Sequence, residues 1–474
     1  MTALLDRGVA RFALLIALIV AFYLTYRNTV WLPRPGRSPE EVTLLPVSPV
    51  VWHSVGWLVF TGLLLLLFLS ARRPRPAESD LPFRRLTLGA LFAVYAVTGL
   101  ERAATGRVFG LSAGALVVGG IVALVVAVAV IRRPPSAFRL LGAMLALGVA
   151  LRLALIALVR PDAAFADNLP AVSLSLERLM GGLTPYAIHN FGDHTNPMPY
   201  LPLTFLSYLP AHFLGQDIRL TNVVFATALT LVCLALLAAL PLPATTRRGL
   251  ALVVGLLFLL PERLSNDLYT AWSPFNLLLV LAFALLVLAR FRTSAVVYGA
   301  SLAAMPVGWF VAPPLFFLAL RTRPLREVLL FGAIVAGVGG APILAFLLWD
   351  IEAFRTAFLF GTTGLWEAIA AGTSEEALML WHGWIGSGLL AVQAALALVV
   401  VALSWMRLRT MGGLIALGAV LYIGLIITGP HIAQYMTNVV PYLALLHEAV
   451  RASVVPADRE FGRLRAGVGK VESP

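Results

Sequence analysis

Residues 220–240, LTNVVFATALTLVCLALLAAL, run without a single charged side chain. Coiled as a helix at ~1.5 Å per residue, such a run crosses ~30 Å of hydrocarbon. Runs of the same kind recur at 112–131 and 383–406. Of 474 residues, 60% are apolar and 12% charged, and the mean hydropathy is +0.91. Soluble domains carry about 25% charged residues. A soluble enzyme, a disordered chain and a disulfide-rich secreted module are therefore excluded. The chain reads as all-α: a polytopic transmembrane helical bundle.

Working outward from 220–240, the expected spans are 9–26, 52–71, 86–100, 110–131, 138–159, 220–241, 249–261, 274–290, a pair at 294–307 and 308–320, 326–348, 383–406, 411–428 and 437–450. That is about 13–14 crossings. Arg7 and Arg11 precede an apolar stretch with no small-residue cleavage site, so the first span is expected to be retained. Cys233 is the only cysteine, which excludes an intramolecular disulfide and a cysteine metal site. The net charge of +12 invites a nucleic-acid reading. Charge of this sign in a chain this apolar belongs instead to short cytoplasmic loops, so no nucleic-acid partner is expected.

Topology turns on 200–214, YLPLTFLSYLPAHFL. If this segment does not cross, 24 basic residues fall on the N-terminal side and 10 on the other, with Arg152 inside a span. If it crosses, the counts become 13 and 21. Positive residues favour the cytoplasm, so 200–214 is expected to be a juxtamembrane or re-entrant helix. By the same logic 294–320 is two short helices broken near Pro306-Val-Gly308. Of 23 acidic residues, 15 then lie outside. Polar chemistry gathers in the exterior segments 160–219, 262–273, 349–382 and 429–436. The expected organisation is an accessory bundle over 1–135, a main membrane module over 136–450 with the exterior loop 160–219, and a basic cytoplasmic tail over 451–474.

The exterior loop holds the most distinctive residues. Asp167 lies just past a span. Leu169, Val172, Leu176, Leu179 and Met180 follow at mostly helical spacing, which suits a helix lying in the interface with one face in lipid. Gly181-Gly182 stops it, and Thr184-Pro185-Tyr186 starts an extended piece. His189, Asn190, Asp193, His194 and Asn196 come next, then Pro197-Met-Pro199-Tyr200-Leu-Pro202-Leu.

An acidic residue outside a span, an amphipathic helix, Gly-x-x-Pro-Tyr, Tyr-x-Pro-Leu and a following arginine resemble the GT-C-type membrane glycosyltransferases. The bacterial mannosyltransferases that use a polyprenyl-phosphate-mannose donor are the most similar branch. The likeness covers about 138–290 and rests on short motifs. Two features depart from the pattern: about four spans precede the acidic loop, and Leu201 replaces the first proline of Tyr-Pro-Pro-Leu. The resemblance implies a GT-C-like fold and transfer of a hexose from a polyprenyl-phosphate donor to a glycan or glycolipid acceptor. It implies Asp167 as the general base, matches Tyr186 and Tyr200 to its loop motifs, and matches Arg219 to the arginine opening the next span. Asp267 matches an acidic residue of the second exterior loop. It further implies a bacterial inner-membrane enzyme working on the cell envelope, with its site facing the exterior or periplasm.

Such chemistry needs a carboxylate to take the acceptor hydroxyl's proton, and attack opposite the leaving group inverts the anomeric centre. It also needs cations for the departing phosphate, for which Arg152, Arg219 and Arg263 are candidates. Each has a plainer reading. Asp167 alone is a loop carboxylate or helix cap, and Arg219 an interfacial anchor. Arg152 lies ~10 Å inside its span, where a charge costs ~2.5–3.5 kcal/mol on insertion scales. His189, Asp193 and His194 are the one cluster suited to a divalent cation, although loop clusters of this kind more often stay solvated or bind substrate. His431 and Tyr435 are candidates for the donor phosphate. Two rivals remain: a transporter or flippase of a lipid-linked substrate, and a non-catalytic assembly partner that keeps the fold. The absence of an internal repeat and the crowding of polar residues on one face argue against the transporter.

Overall fold

In the computed structural model the uncharged run at 220–240 becomes a helix, as does the described part of 383–406, the conformation in which a segment satisfies its own N–H and C=O groups; the run at 112–131 lies almost wholly outside the described residues. The structure describes residues 8–25, 29–34, 37–43, 59–68, 79–104, 131–158, 168–190, 195–198, 200–359, 388–407, 410–427 and 438–453. Among the described residues three helices are long and apolar enough to cross a membrane: Ala137–Ala157, Arg219–Ala239 and Leu325–Trp349. Among the described residues, six more apolar helices of 10–17 residues fall short of that length. Besides helices, the described residues include two small antiparallel hairpins, Thr29–Arg34 with Arg37–Thr43 and Ile188–Asn190 with Thr195–Pro197.

The chain divides into two units. The first comprises 1–154 and 242–265. It contains helices α1 (Gly8–Thr25), α2 (Val59–Phe68), α3 (Leu81–Ala104), the start of α4 (Ala137–Leu158), and α9 (Ala244–Leu259). Aromatic side chains join α1 to its neighbours, with Phe12 4.6 Å from Phe83 and Phe22 5.4 Å from Phe60 between ring centroids. Arg11 is buried and donates through Nη2 to the Leu67 carbonyl at 3.1 Å. That contact meets one of the carbonyls a helix end leaves without an intrahelical partner. Tyr95 donates to the Leu259 carbonyl at 2.7 Å, tying α3 to α9.

The second unit comprises 155–241 and 266–474. Its exterior-loop elements are α5 (Asn168–Met180), α6 (Pro202–Leu206) and α7 (Leu209–Phe213). After α8 (Arg219–Ala239) come α10 (Pro261–Tyr269, begun in the first unit), α11 (Ser273–Val287), α12 (Phe291–Ala304), α13 (Ala312–Thr322) and α14 (Leu325–Trp349). The helices α15 (Ile351–Leu359), α16 (Gly388–Arg407), α17 (Met411–Ile427) and α18 (Val440–Ala452) follow. Helix α12 lies between α11 and α14. Gly299 and Gly339 let α12 and α14 approach closely, since a Cβ at either would come within 2.9 Å of the other helix's backbone. Small residues at such crossings allow backbone-to-backbone packing.

The break expected near Pro306 is present. Helix α12 ends at Ala304, Met305 is extended, and a 3-10 turn over Pro306–Val311 leads into α13. Proline lacks the N–H that would continue the ladder. The segment 200–214 departs from expectation: it is not one helix but two single turns, α6 and α7, each with a proline in its first turn. Pro210 restarts the helix rather than extending it, because its ring is compatible with an N-terminal position and not with an interior one.

Candidate functional site

Helix α5 buries Leu169, Ala171, Val172, Ser175 and Leu176 and packs on α6 and α7. Leu169, Val172 and Leu176 of the stripe expected to face lipid therefore meet protein, while Met180 at its end stays exposed. Ser175, on the buried face, donates to the Pro185 carbonyl at 3.0 Å, a bond lipid could not provide. Gly182 adopts φ +72°, and Leu183 N–H reaches back to the Arg178 carbonyl at 2.9 Å. This is a Schellman-type stop, and glycine fits the left-handed position without a Cβ clash.

Past the stop, the chain folds back along α5. Arg178 Nε donates to the Thr184 carbonyl at 2.9 Å. The segment then enters the hairpin in which His189 faces Asn196. Tyr186 is buried, with its ring 4.5 Å from Phe354, 6.0 Å from Phe205 and 6.1 Å from Phe346. Its hydroxyl donates to the Tyr200 carbonyl at 3.1 Å. Burial pushes that hydroxyl far above the usual phenol range, so it stays neutral and donates. The two tyrosine motifs are thus pinned together. Leu201 is extended at φ −72°, an angle proline also adopts, so the missing first proline leaves a proline-like backbone. Thr204 donates to the Ala304 carbonyl at 2.6 Å and so occupies the terminal acceptor of broken helix α12.

A polar network lies beside these motifs. Tyr208 donates to Asn222 Oδ1 at 2.6 Å, and Asn222 Nδ2 donates to the carbonyls of Asp267 and Thr270, both at 2.9 Å. The carboxylate of Asp267, 2% exposed, accepts from Ser273 Oγ at 2.7 Å. Burial first, then the charge of Asp267, pushes the Tyr208 hydroxyl upward. Arg219 is buried and held by Asp217: Nε lies 3.0 and 2.9 Å from the two carboxylate oxygens, and Nη2 also donates to the Ile156 carbonyl at 3.0 Å. Burial alone would raise the Asp217 carboxyl. The side-chain and backbone hydrogen bonds from Arg219, with its charge, outweigh that and hold it below the usual range.

Among the expected site residues, the second unit thus links Tyr186 with Tyr200. Arg219 and Asp267 belong to the same unit, each with partners of its own. Arg152 and Arg263 belong to the first unit. Arg152 is 1% exposed, donates through Nη1 to the Gly148 and Phe258 carbonyls at 3.0 Å, and lies 4.0 Å from the Phe258 ring centroid. Arg263 is buried near the start of α10. His189 has its backbone in the hairpin. Asp167, Asp193, His194, His431 and Tyr435 lie outside the described residues. Among the described residues no group of three His, Cys, Asp or Glu side chains is arranged to hold a metal ion.

Sequence reasoning missed Tyr208, Asp217, Asn222 and Ser273. A signal existed for two of them: Asn222 is an amide one turn inside an apolar run, and Asp217 stands two residues before an arginine. No protein-family model, curated protein or solved structure matches this chain.

Proposed function

We propose that the chain is a polytopic integral membrane glycosyltransferase of GT-C type. It moves a hexose, mannose being the first candidate, from a polyprenyl-phosphate donor to a lipid- or polymer-linked acceptor on the exterior face. The observation that carries this reading is the contact between its two motifs: Tyr186 of Gly-x-x-Pro-Tyr donates to the backbone of Tyr200 in Tyr-x-Pro-Leu. The helix between Asp167 and the first motif packs on the short helices that follow the second. A segment built this way is tied down at several points, which suits a catalytic residue that must be held within a fraction of an ångström.

In this mechanism Asp167 accepts the proton of the acceptor hydroxyl as that oxygen attacks the anomeric carbon, and the configuration inverts. The lipid phosphate leaves, its charge met by arginine. Tyr186 and Tyr200 position the loop, and Arg219 enters the site with its orientation set by Asp217. The broken helix at Pro306, against which Thr204 packs, supplies irregular backbone of the kind tolerated at membrane depth where protein covers it.

The test is transfer of radiolabel from polyprenyl-phosphate-mannose to a membrane glycolipid extract by the purified chain in lipid. A labelled product is expected. Uptake or scrambling of the donor without a glycoside would favour the transporter reading, and neither activity would favour the assembly partner.

A further inference from the structure

Three helices of the first unit begin side by side. Asp80, just before α3, meets Arg84 at 3.2 Å and Arg248 of α9 at 3.6 Å. Arg84 also donates to the carbonyls of Pro134 and Pro135, at 3.1 and 2.8 Å, and Arg85 donates to the Arg132 carbonyl at 3.2 Å. Those prolines lead into α4, whose first turn carries Phe138 and Arg139. A Cβ at Gly249 would lie 2.7 Å from the Phe83 ring, so α3 and α9 approach closely near their starts.

The contacts gather charge of one sign. Segments 79–85, 131–139 and 242–248 carry seven arginines and one acid, Asp80, which two of those arginines already share. Arg84, Arg139 and Arg247 fall in the first turns of α3, α4 and α9, and none of these turns has an acidic residue. A helix start bears partial positive charge and is the less favourable end for a cation. Arg132, Arg133 and Arg139 are exposed and make no ion pair among the described residues. Phe138, beside Arg139, is 86% exposed. The preference of arginine for the cytoplasmic side explains the side on which these residues lie, but not their collection around three helix starts.

Charge complementarity selects what meets this surface. Helix α4 is long and apolar enough to cross a membrane, so its first turn lies at the level of the headgroups. An anionic leaflet offers phosphates to the arginines and an apolar boundary layer to Phe138. A zwitterionic leaflet would leave the arginines without net attraction, and a soluble anion would leave Phe138 in water. The balance of arginines assigns this face to the cytoplasmic leaflet, where anionic lipid attracts basic juxtamembrane segments.

We propose that the joined starts of α3, α4 and α9 form a docking surface for anionic lipid headgroups, with Arg132, Arg133 and Arg139 against the phosphates and Phe138 in the boundary layer. The proposal rests on the reading of the chain as an integral membrane protein and not on glycosyl transfer.

The test is native mass spectrometry of delipidated protein titrated with phosphatidylglycerol or phosphatidylcholine. Wild type is expected to prefer phosphatidylglycerol by about fivefold for each arginine engaged, equivalent to the ~1 kcal/mol that an arginine contributes near an anionic surface. Added salt should erode that preference. The triple variant Arg132→Gln, Arg133→Gln, Arg139→Gln should lose most of it. A second triple variant, Arg290→Gln, Arg292→Gln, Arg326→Gln, removes the same charge from exposed positions of the second unit and should keep it. Phe138→Ser should weaken retention of both lipids alike. Unchanged thermal unfolding of the variants in detergent would show that folding is intact. Equal binding of the two lipids by wild type, equal losses in the two triple variants, or displacement of phosphatidylglycerol by an equal concentration of glycerol phosphate would each overturn the proposal. A chain that stays dispersed without detergent would instead break the membrane reading itself.

Discussion

Arg152 and Arg219 are both buried, 1% and 4% exposed, and both belong to helices long enough to cross a membrane. They are accommodated in different ways. Arg152 donates to a carbonyl 106 positions away and lies over the ring of the same residue, Phe258. Arg219 is chelated by a carboxylate two positions away. The first arrangement exists only once the helices have packed. The second is mostly local: Asp217 also accepts from the Arg219 backbone N–H at 2.9 Å, so the pair forms as soon as α8 begins, and only the bond to the Ile156 carbonyl waits for packing. A buried arginine is thus not one kind of feature, and its energetic role follows from where its partner lies in the chain.

The largest effect should come from disturbing the long-range arrangement. A Cβ at Gly148 would lie 2.6 Å from the Phe258 ring. Gly148→Val should therefore force Phe258 off Arg152 and lower stability by about 1–3 kcal/mol, the usual cost of overpacking. Thermal unfolding in detergent measures it, and an unchanged midpoint would break the contrast. Next is Arg219→Met, which leaves Asp217 without its partner. Hydrogen bonds to charged groups contribute about 1.5–3 kcal/mol, and Asp217 is 33% exposed, so water recovers part of that and about 1–2 kcal/mol is expected.

Arg152→Met should cost less, within about 1 kcal/mol, because removing a buried cation relieves its desolvation as its hydrogen bonds are lost. A larger loss than for Arg219→Met would reverse the comparison. The smallest effect concerns pH. The folded-state carboxyl of Asp217 is lowered, so its contribution is fully present above the ordinary carboxylate value of about 4 and is lost as pH falls through the lowered one. Unfolding midpoints of wild type should fall more steeply than those of Arg219→Met across that acid range. Parallel curves would mean that the pair contributes nothing to stability.

Much of the helical architecture was legible because its signals are local. The uncharged run at 220–240 marks α8, the spacing of Leu169, Val172 and Leu176 marks α5, Gly182 marks its stop, and Pro306 marks the break before α13. What α5 packs against was not legible, since only Ser175's partner at Pro185 distinguishes a protein-facing surface from a lipid-facing one. Two prolines in 200–214 were visible, and Pro210 marks the restart; that Thr204 meets Ala304 a hundred residues on was not legible. The candidate site divides in the same way. Motif order could be read, whereas the network of Tyr208, Asn222, Asp267 and Ser273 requires segments from three helices and a loop. The hairpin at 29–43 gave no sign, because its pairing of Val30 with Val42 is set by register and not by composition.

Asp162, five residues before Asp167 in the same exterior loop, is the rival carboxylate for the role of base, so the most direct test is the rate of sugar transfer by Asp167→Asn and Asp162→Asn, each compared with wild type in the same lipid and with the same labelled donor. General-base catalysis contributes roughly 100- to 10,000-fold. The account predicts a loss of that size for Asp167→Asn and near wild-type transfer for Asp162→Asn. Full activity in Asp167→Asn would contradict it.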